Sequence, residues 1–246
     1  MSNIRTKLLL AALSLPLSLT VMAQVGEPRY DFAVGVSGGV NLNRISFSPS
    51  IKQNSFIGPT LGITARYTSE KYFNTYCSVQ VELNYSRLGW NENIMNPAGE
   101  ELPDTYERSI DYVQLPLLTR LAWGREHRGL MFYILAGPQI GYCLGESSKQ
   151  SETWTLNADG NPDRPNAVYQ QYNMSVENKF DYGITGGLGI ELNTKAGHFM
   201  IEGRYYYGLG DIYGNSKKDI FERSAHGTIQ IKTAYLFSIS GRNNRK

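Results

Sequence analysis

The stretch NTYCSVQVELNYSRLG, residues 74–89, decides the architecture. Cys77, Val79, Val81, Leu83 and Tyr85 fall on one parity; Ser78, Gln80, Glu82, Asn84 and Ser86 fall on the other. Successive side chains of a strand point to opposite faces, so period two means a strand with unlike faces. A helix would scatter these apolar residues around its circumference. A tilted strand crosses a bilayer in about 9–11 residues, and this stretch is long enough.

The same alternation recurs over 31–43, 56–68, 108–123, 130–144, 179–192, 199–212 and 227–239. In 108–123, Val113, Leu115, Leu117, Leu121 and Trp123 oppose Tyr112, Gln114, Leu118 and Arg120. In 179–192, Tyr182, Ile184, Leu188, Ile190 and Leu192 oppose Asp181, Gly183, Thr185, Gly187, Gly189 and Glu191. The connections alternate in length. Segments 69–73, 124–129 and 193–198 are short, whereas 44–55, 90–107, 145–178 and 213–226 are longer and polar. Short turns opposed to long loops are the pattern of an outer-membrane barrel. The predicted fold is all-β: an eight-stranded antiparallel up-and-down transmembrane β-barrel of outer-membrane type, with both termini on the periplasmic side.

Composition agrees. The chain has 246 residues, 41% hydrophobic and 19% charged, with 25 Gly and 17 Tyr. Gly and Tyr in such numbers suit tight turns and amphipathic rings. Only 2 Cys and 3 His argue against a zinc domain or a disulfide scaffold. A mean hydropathy of −0.35 excludes a bundle of transmembrane helices. Residues 1–23 read as a signal peptide rather than an anchoring helix. Arg5 and Lys7 precede the apolar run Leu8 to Val21, and Val21-Met22-Ala23 fits a cleavage site. No Cys follows that site, so a lipid-modified N-terminus is not expected. Residues 24–246 form the expected barrel domain. The full chain has 24 basic and 22 acidic residues, and the leader holds two basic and no acidic ones. The remainder is therefore balanced, which removes the charge argument for a nucleic-acid partner. The expected surroundings are outer-membrane lipid and lipopolysaccharide, with envelope proteins as candidate partners of the loops or turns.

The two faces differ in chemistry. Tyr67, Phe73, Trp123, Phe132, Phe199 and Phe237 gather on the apolar face toward the turns; Tyr85, Tyr142, Tyr182, Tyr205 and Tyr207 gather toward the loops. These read as two interfacial girdles. The other face carries Arg66, Glu82, Arg120, Asp181, Glu191, Glu202, Arg204 and Lys232, four of each sign. Eight strands leave an interior only wide enough for side chains, and buried unpaired charges are costly. The prediction is an ion-paired plug, not a water-filled pore. A soluble sandwich or lipocalin would also alternate, but with the apolar parity inward. Strand length, girdles and loop asymmetry favour the membrane. Pro116 within a strand predicts a bulge, either re-aiming Gln114 or Arg120 or simply bending the strand for closure.

Tyr112-Val113-Gln114-Leu115-Pro116-Leu117-Leu118-Thr119-Arg120 resembles the fourth-strand signature of the PorT-like outer-membrane β-barrel family of Bacteroidetes. Tyr112, Gln114, Pro116 and Leu117 carry it most clearly. Ala136-Gly137-Pro138, Phe180-Asp181-Tyr182-Gly183, Glu202-Gly203-Arg204-Tyr205, Gly208-Leu209 and Tyr235-Leu236-Phe237 extend the resemblance over residues 30–238. It implies the barrel fold and an outer-membrane location. The founding member is implicated in type IX secretion, so an accessory role in such a machine is an alternative reading.

Catalytic and metal motifs are sparse. Glu222, Ser224 and His226 alternate at the entry to the last strand, and lipid A deacylases are barrels with a Ser/His/acid site. Two residues along a strand span about 6–7 Å, too far for a Ser–His bond without help. A hydrolase is therefore a remote alternative. His127 and His198 fall in short turns and read as solvated. Asn157-Ala158-Asp159-Gly160-Asn161 is turn-like, an unstructured tip rather than a calcium loop. Cys77 and Cys143 lie on non-adjacent strands with opposite parity, which disfavours a disulfide. Loop 145–178 holds Trp154, Asn157, Asn161, Asn166, Tyr169 and Tyr172, either a recognition surface or a mobile solvated loop. The prediction is a non-enzymatic barrel without cofactor, acting as a structural or partner-binding protein.

Overall fold

Alternation of this kind forms strands, and in the computed structural model six of the eight run longer than the sequence predicts, while those predicted at 179–192 and 199–212 keep their length and shift by one residue. Residues 26–126, 128–216 and 219–240 are described. The expected leader lies outside them. The strands are β1 (Glu27–Ser48), β2 (Gln53–Asn54), β3 (Phe56–Tyr72), β4 (Thr75–Glu92), β5 (Tyr106–Gly124), β6 (Gly129–Gln150), β7 (Phe180–Asn193), β8 (His198–Asp211) and β9 (Arg223–Ser240). Each long strand pairs antiparallel with the next long one, and β1 pairs β9, so the sheet closes without an edge. Eight long strands make the barrel. The ninth, two-residue β2 pairs the end of β4, Gln53 opposite Glu92.

The short turns and the strand termini β1-start and β9-end share one end of the barrel, the turn end. The long connections share the other, the loop end. Tight geometry closes the turns: Phe73 and Arg128 adopt positive φ of 49° and 45°, and Gly197 has φ 151°. A Cβ at Gly197 would also lie 2.5 Å from the Leu236 carbonyl oxygen, so glycine is needed there on both counts.

Parity sorts the two faces as the hydropathy alternation does. Val81, Leu83, Leu117, Ile134, Leu188 and Ile231 are exposed on the outer surface, while Gln80, Glu82, Asn84, Leu118, Leu135 and Gln230 are buried within. Both sets of girdle aromatics are outward and exposed. Several anchor their polar tips, as interfacial rings do. The Trp123 indole donates to Thr75 Oγ1 at 2.7 Å, and Tyr85 donates to Asp111 at 2.7 Å. Outward charge begins at the Arg87–Asp111 pair, 2.8 Å apart, just past Tyr85. The apolar belt on β4 thus runs from Cys77 to Tyr85, a length that suits a tilted crossing.

Pro116 does not make the predicted bulge. Asn84↔Gln114 and Val81↔Leu117 keep one register with β4, and Pro116↔Gln139 and Thr119↔Ala136 keep one with β6. The ladder to β4 lapses opposite Leu115 and Pro116 and then resumes in step. The ring removes a donor, but well-paired flanks hold the alignment. The irregularity on the β5–β6 side falls between Asp111 and Tyr112.

Loop 145–178 is not a mobile, solvated loop. β6 extends through its first residues to Gln150, and the rest folds inward. Val168, Tyr172 and Val176 are buried in a cluster with Phe47, Trp90, Tyr106, Tyr213 and Phe221. Trp154 stacks on Tyr172 with ring centroids 4.4 Å apart. Burial of these rings drives the loop onto the barrel mouth as a cap. The tip at 157–161 is ordered by its own hydrogen bonds, since Asn157 Oδ1 accepts from the Asp159 and Asn161 amides at 2.9 and 3.0 Å. A second, smaller apolar cluster at the turn end includes Tyr76, Leu118, Met131, Tyr133, Met200 and Leu236.

Candidate functional site

The lumen between these two clusters is built from the polar parity of every long strand. Its middle tier centres on Glu82 of β4. That carboxylate accepts from Arg204 Nη1 and Nη2 at 3.0 and 2.5 Å and from Lys232 Nζ at 2.6 Å. Asn84 and Gln80, its same-face neighbours, donate to it at 2.9 and 2.7 Å. Arg204 also donates Nε–H to Glu202 at 2.5 Å. Two carboxylates and two cations therefore neutralise one another. All four side chains are at most 2% exposed. In so dry a site the pairing is strong, and it also offsets a large desolvation cost.

The second tier, toward the turn end, centres on Glu191 of β7. Arg66 Nη1 donates to its Oε2 at 2.7 Å, and Arg120 Nη2 pairs with the same oxygen. His198 Nδ1 reaches Oε1 at 2.8 Å. The Arg120 guanidinium also lies 3.9 Å over the Tyr133 ring, a cation–π contact. One carboxylate thus serves two arginines.

Glycine on β7 makes room for these groups. A Cβ at Gly189 would sit 2.5 Å from the Tyr133 ring, and one at Gly187 would sit 2.9 Å from Arg204 Cγ. That explains why glycine is interspersed with Asp181, Thr185 and Glu191 on the lumen parity of this strand.

Not every predicted lumen charge joins the network. Asp181 is buried at the other end of β7, where it accepts from the Tyr206 hydroxyl at 2.7 Å and has no cationic partner among the described residues. Gln114 is buried in the lumen wall, and its Oε1 has no partner among those residues. Of the resemblance residues, Tyr112 and Gln114 face inward and Leu117 faces outward. The Tyr112 hydroxyl meets His226 Nε2 at 3.2 Å.

The hydrolase geometry is absent. Ser224 Oγ accepts from the Tyr213 amide at 3.1 Å, while His226 Nδ1 lies 3.3 Å from Asn43. Glu222 is exposed and accepts from Ser48 at 3.3 Å. The three side chains do not form a relay, because each is engaged elsewhere: Ser224 by the Tyr213 amide, His226 by Asn43 and Glu222 by Ser48. Cys77 and Cys143 are free. His127 lies outside the described residues.

His198 is the residue that sequence reading misplaced. It is no solvated turn residue: it begins β8 on the lumen parity of Met200, Glu202 and Arg204. Parity counted one step further back would have found it. Beside it opens a cavity of about 450 Å³ at the turn end, lined by Arg66, Arg120, Glu191 and His198 together with Tyr76, Met131 and the turn residues Arg128 and Lys195.

At the loop end, above the belt, Glu92 is buried and accepts from Tyr172 at 2.9 Å and from Gln171 at 3.1 Å. Burial pushes its carboxyl above the ordinary range, against the lowering effect of those hydrogen bonds. Next to it Arg164 pairs with Asp104 at 2.9 Å and donates to the Tyr172 hydroxyl at 2.7 Å. These bonds tie the cap to β4 and to the β4–β5 loop.

Several solved structures share part of this chain path. Ail, the attachment invasion locus protein of Yersinia pestis, is 12% identical over 86% of this chain and 99% of its own, with a TM-score of 0.35. Neisserial surface protein A is 13% identical over 84% and 97%, with a TM-score of 0.40. OprG from Pseudomonas aeruginosa is 12% identical over 86% and 98%, with a TM-score of 0.43. No curated protein matches the chain. Residues 22–214 match the outer membrane protein beta-barrel domain, and a closed antiparallel sheet with an outward apolar belt and a polar interior is the build of a transmembrane barrel. The chain belongs to the outer membrane protein β-barrel family.

Proposed function

We propose that this protein is a non-conducting, non-enzymatic barrel whose interior is plugged by its own side chains and whose capped loop end meets a partner in the envelope. The observation that carries the reading is the tiering of the lumen. The Glu82 and Glu191 clusters cross it from wall to wall, and the Trp90–Tyr172–Phe221 cluster closes the loop end above them. The Arg66, Glu82, Arg120, Glu191, Glu202, Arg204 and Lys232 side chains leave no continuous aqueous path in this reading; Gln114 and Asp181 line the wall between the Glu82 tier and the cap. Outer-membrane lipid and lipopolysaccharide surround the belt, and the turn end with both strand termini faces the periplasm. Planar-bilayer recording tests it. The protein should give no steady channel, brief flicker aside, and steady nanosiemens-scale conductance would overturn it.

The motif at 112–120 supports a second reading, a PorT-like accessory of a type IX-like secretion machine. Tagged protein purified from its native envelope should then bring secretion components with it. Purification of the barrel alone, after cross-linking, would remove that reading and leave the first.

A further inference from the structure

The Glu191 tier is not neutral, and a cavity opens beside it. Arg66 and Arg120 are 3% and 2% exposed and share a single carboxylate. Each also keeps a buried Nε–H without an acceptor among the described residues. Two buried guanidiniums against one carboxylate leave an excess positive charge in a low-dielectric wall, which favours a counter-anion. The fourth predicted lumen carboxylate, Asp181, cannot supply it, because it sits at the far end of β7 on Tyr206.

The rim carries charge of both signs. Arg29 is shared by Glu126 and Glu27, at 2.8 and 2.9 Å. Lys195 and Arg128 line the cavity with no carboxylate in ion-pair range among the described residues, against Asp31 alone. Tyr76 and Met131 supply an apolar wall. A volume of about 450 Å³ lies in the range of small-molecule sites and exceeds what one oxyanion fills.

We propose that the turn-end cavity binds a phosphate-class oxyanion carried on a small molecule. Arg66 and Arg120 present the inner charge, Lys195 and Arg128 close over it, and Tyr76 and Met131 face the carrier. Arginine forks match such oxygens bidentately, and lysine adds a point charge. The anion could come free from solution or as a lipid headgroup, and the chemistry is shared.

The test is calorimetric titration of the full chain, folded in a maltoside detergent, with inorganic phosphate and separately with short-chain phosphatidylglycerol. Saturable one-to-one binding of phosphate supports the proposal with a soluble source. Saturation by phosphatidylglycerol alone supports it with a headgroup source. Lys195→Ala with Arg128→Ala, both at turns, should weaken the affinity about tenfold without altering folding. Lys149→Ala, at the loop end, should leave it unchanged. Arg120→Gln should abolish binding where that variant still folds. No saturable binding of either probe, or binding indifferent to the turn variants, would overturn the proposal and leave the plugged-barrel reading untouched.

Discussion

Glu82 shows how much a single lumen residue carries. Four side chains donate to it, and it is the one carboxylate that Lys232 bonds directly among the described residues, Glu202 standing opposite Lys232 in the β8–β9 ladder without a direct contact. Arg204, by contrast, keeps Glu202 if Glu82 is lost. Replacing Glu82 by Gln therefore strands a buried ammonium, and breaking a buried pair this way costs about 3–5 kcal/mol. Lys232→Met alone should cost less, because Glu82 retains Arg204. The double variant Glu82→Gln/Lys232→Met should be more stable than Glu82→Gln alone, since the orphaned charge has gone with its partner. Urea unfolding in phospholipid vesicles measures all three. Equal stability of Glu82→Gln and wild type would show that the cluster is wet.

At the scale of the element, each strand is a ribbon with one lipid face and one lumen face. On β4, Leu83 is exposed and Glu82 is buried; on β7, Leu188 is exposed and Gly187 faces Arg204. Arginine at Leu83 or Leu188 should destabilise by about 2–4 kcal/mol if these sites lie at the bilayer midplane. Single-Cys scanning of β4 and β7, with Cys77 and Cys143 removed, tests the faces directly. A lipid-soluble quencher should reach positions 83 and 188 and not 82 or 187. The reverse pattern would invert the barrel, because one residue of slip exchanges the faces completely. Gly189→Leu is a packing test on the same strand. Its side chain would enter the space of the Tyr133 ring, and such overpacking typically costs about 1–3 kcal/mol.

The cap is an element assembled from loops. Tyr172 stacks on Trp154, packs on Tyr106 at 4.7 Å and hydrogen-bonds Glu92 at 2.9 Å. Tyr172→Ala should loosen segment 151–178 and open it to limited proteolysis, while the strands remain protected. A cleavage pattern identical to wild type would mean that Tyr172 is not what holds the cap.

The whole molecule has a closed sheet, with β1 against β9 and β4 against β5. A barrel without edges must break pairing on two sides of a strand before that strand can leave. The protein should accordingly stay in the outer-membrane fraction and migrate as a folded, faster species in SDS until boiled. Release into the soluble fraction without denaturant would contradict the membrane assignment.

What the sequence by itself determined was sidedness. Side-chain period two is a local steric property, so Val79, Val81 and Leu83 declare one face and Gln80, Glu82 and Asn84 the other without reference to the rest of the chain. Loop asymmetry and strand length are equally local, and from them the barrel, its belt and the inward charges were legible. Which charges meet was decided only by tertiary structure. Arg204 and Lys232 reach Glu82 across separations of 122 and 150 residues. Their height in the lumen depends on tilt and stagger, which exist only once the whole sheet has closed. The same closure put Asp181 beside Tyr206 instead of a cation and gave Ser224 and His226 separate partners. It also left Arg66 and Arg120 to share Glu191, because charge balance read along a chain says nothing about balance at one level of a barrel. The cap was invisible for a related reason: aromatic residues in a polar loop have no period, and only the ring of strand ends beneath them provides a surface on which to bury.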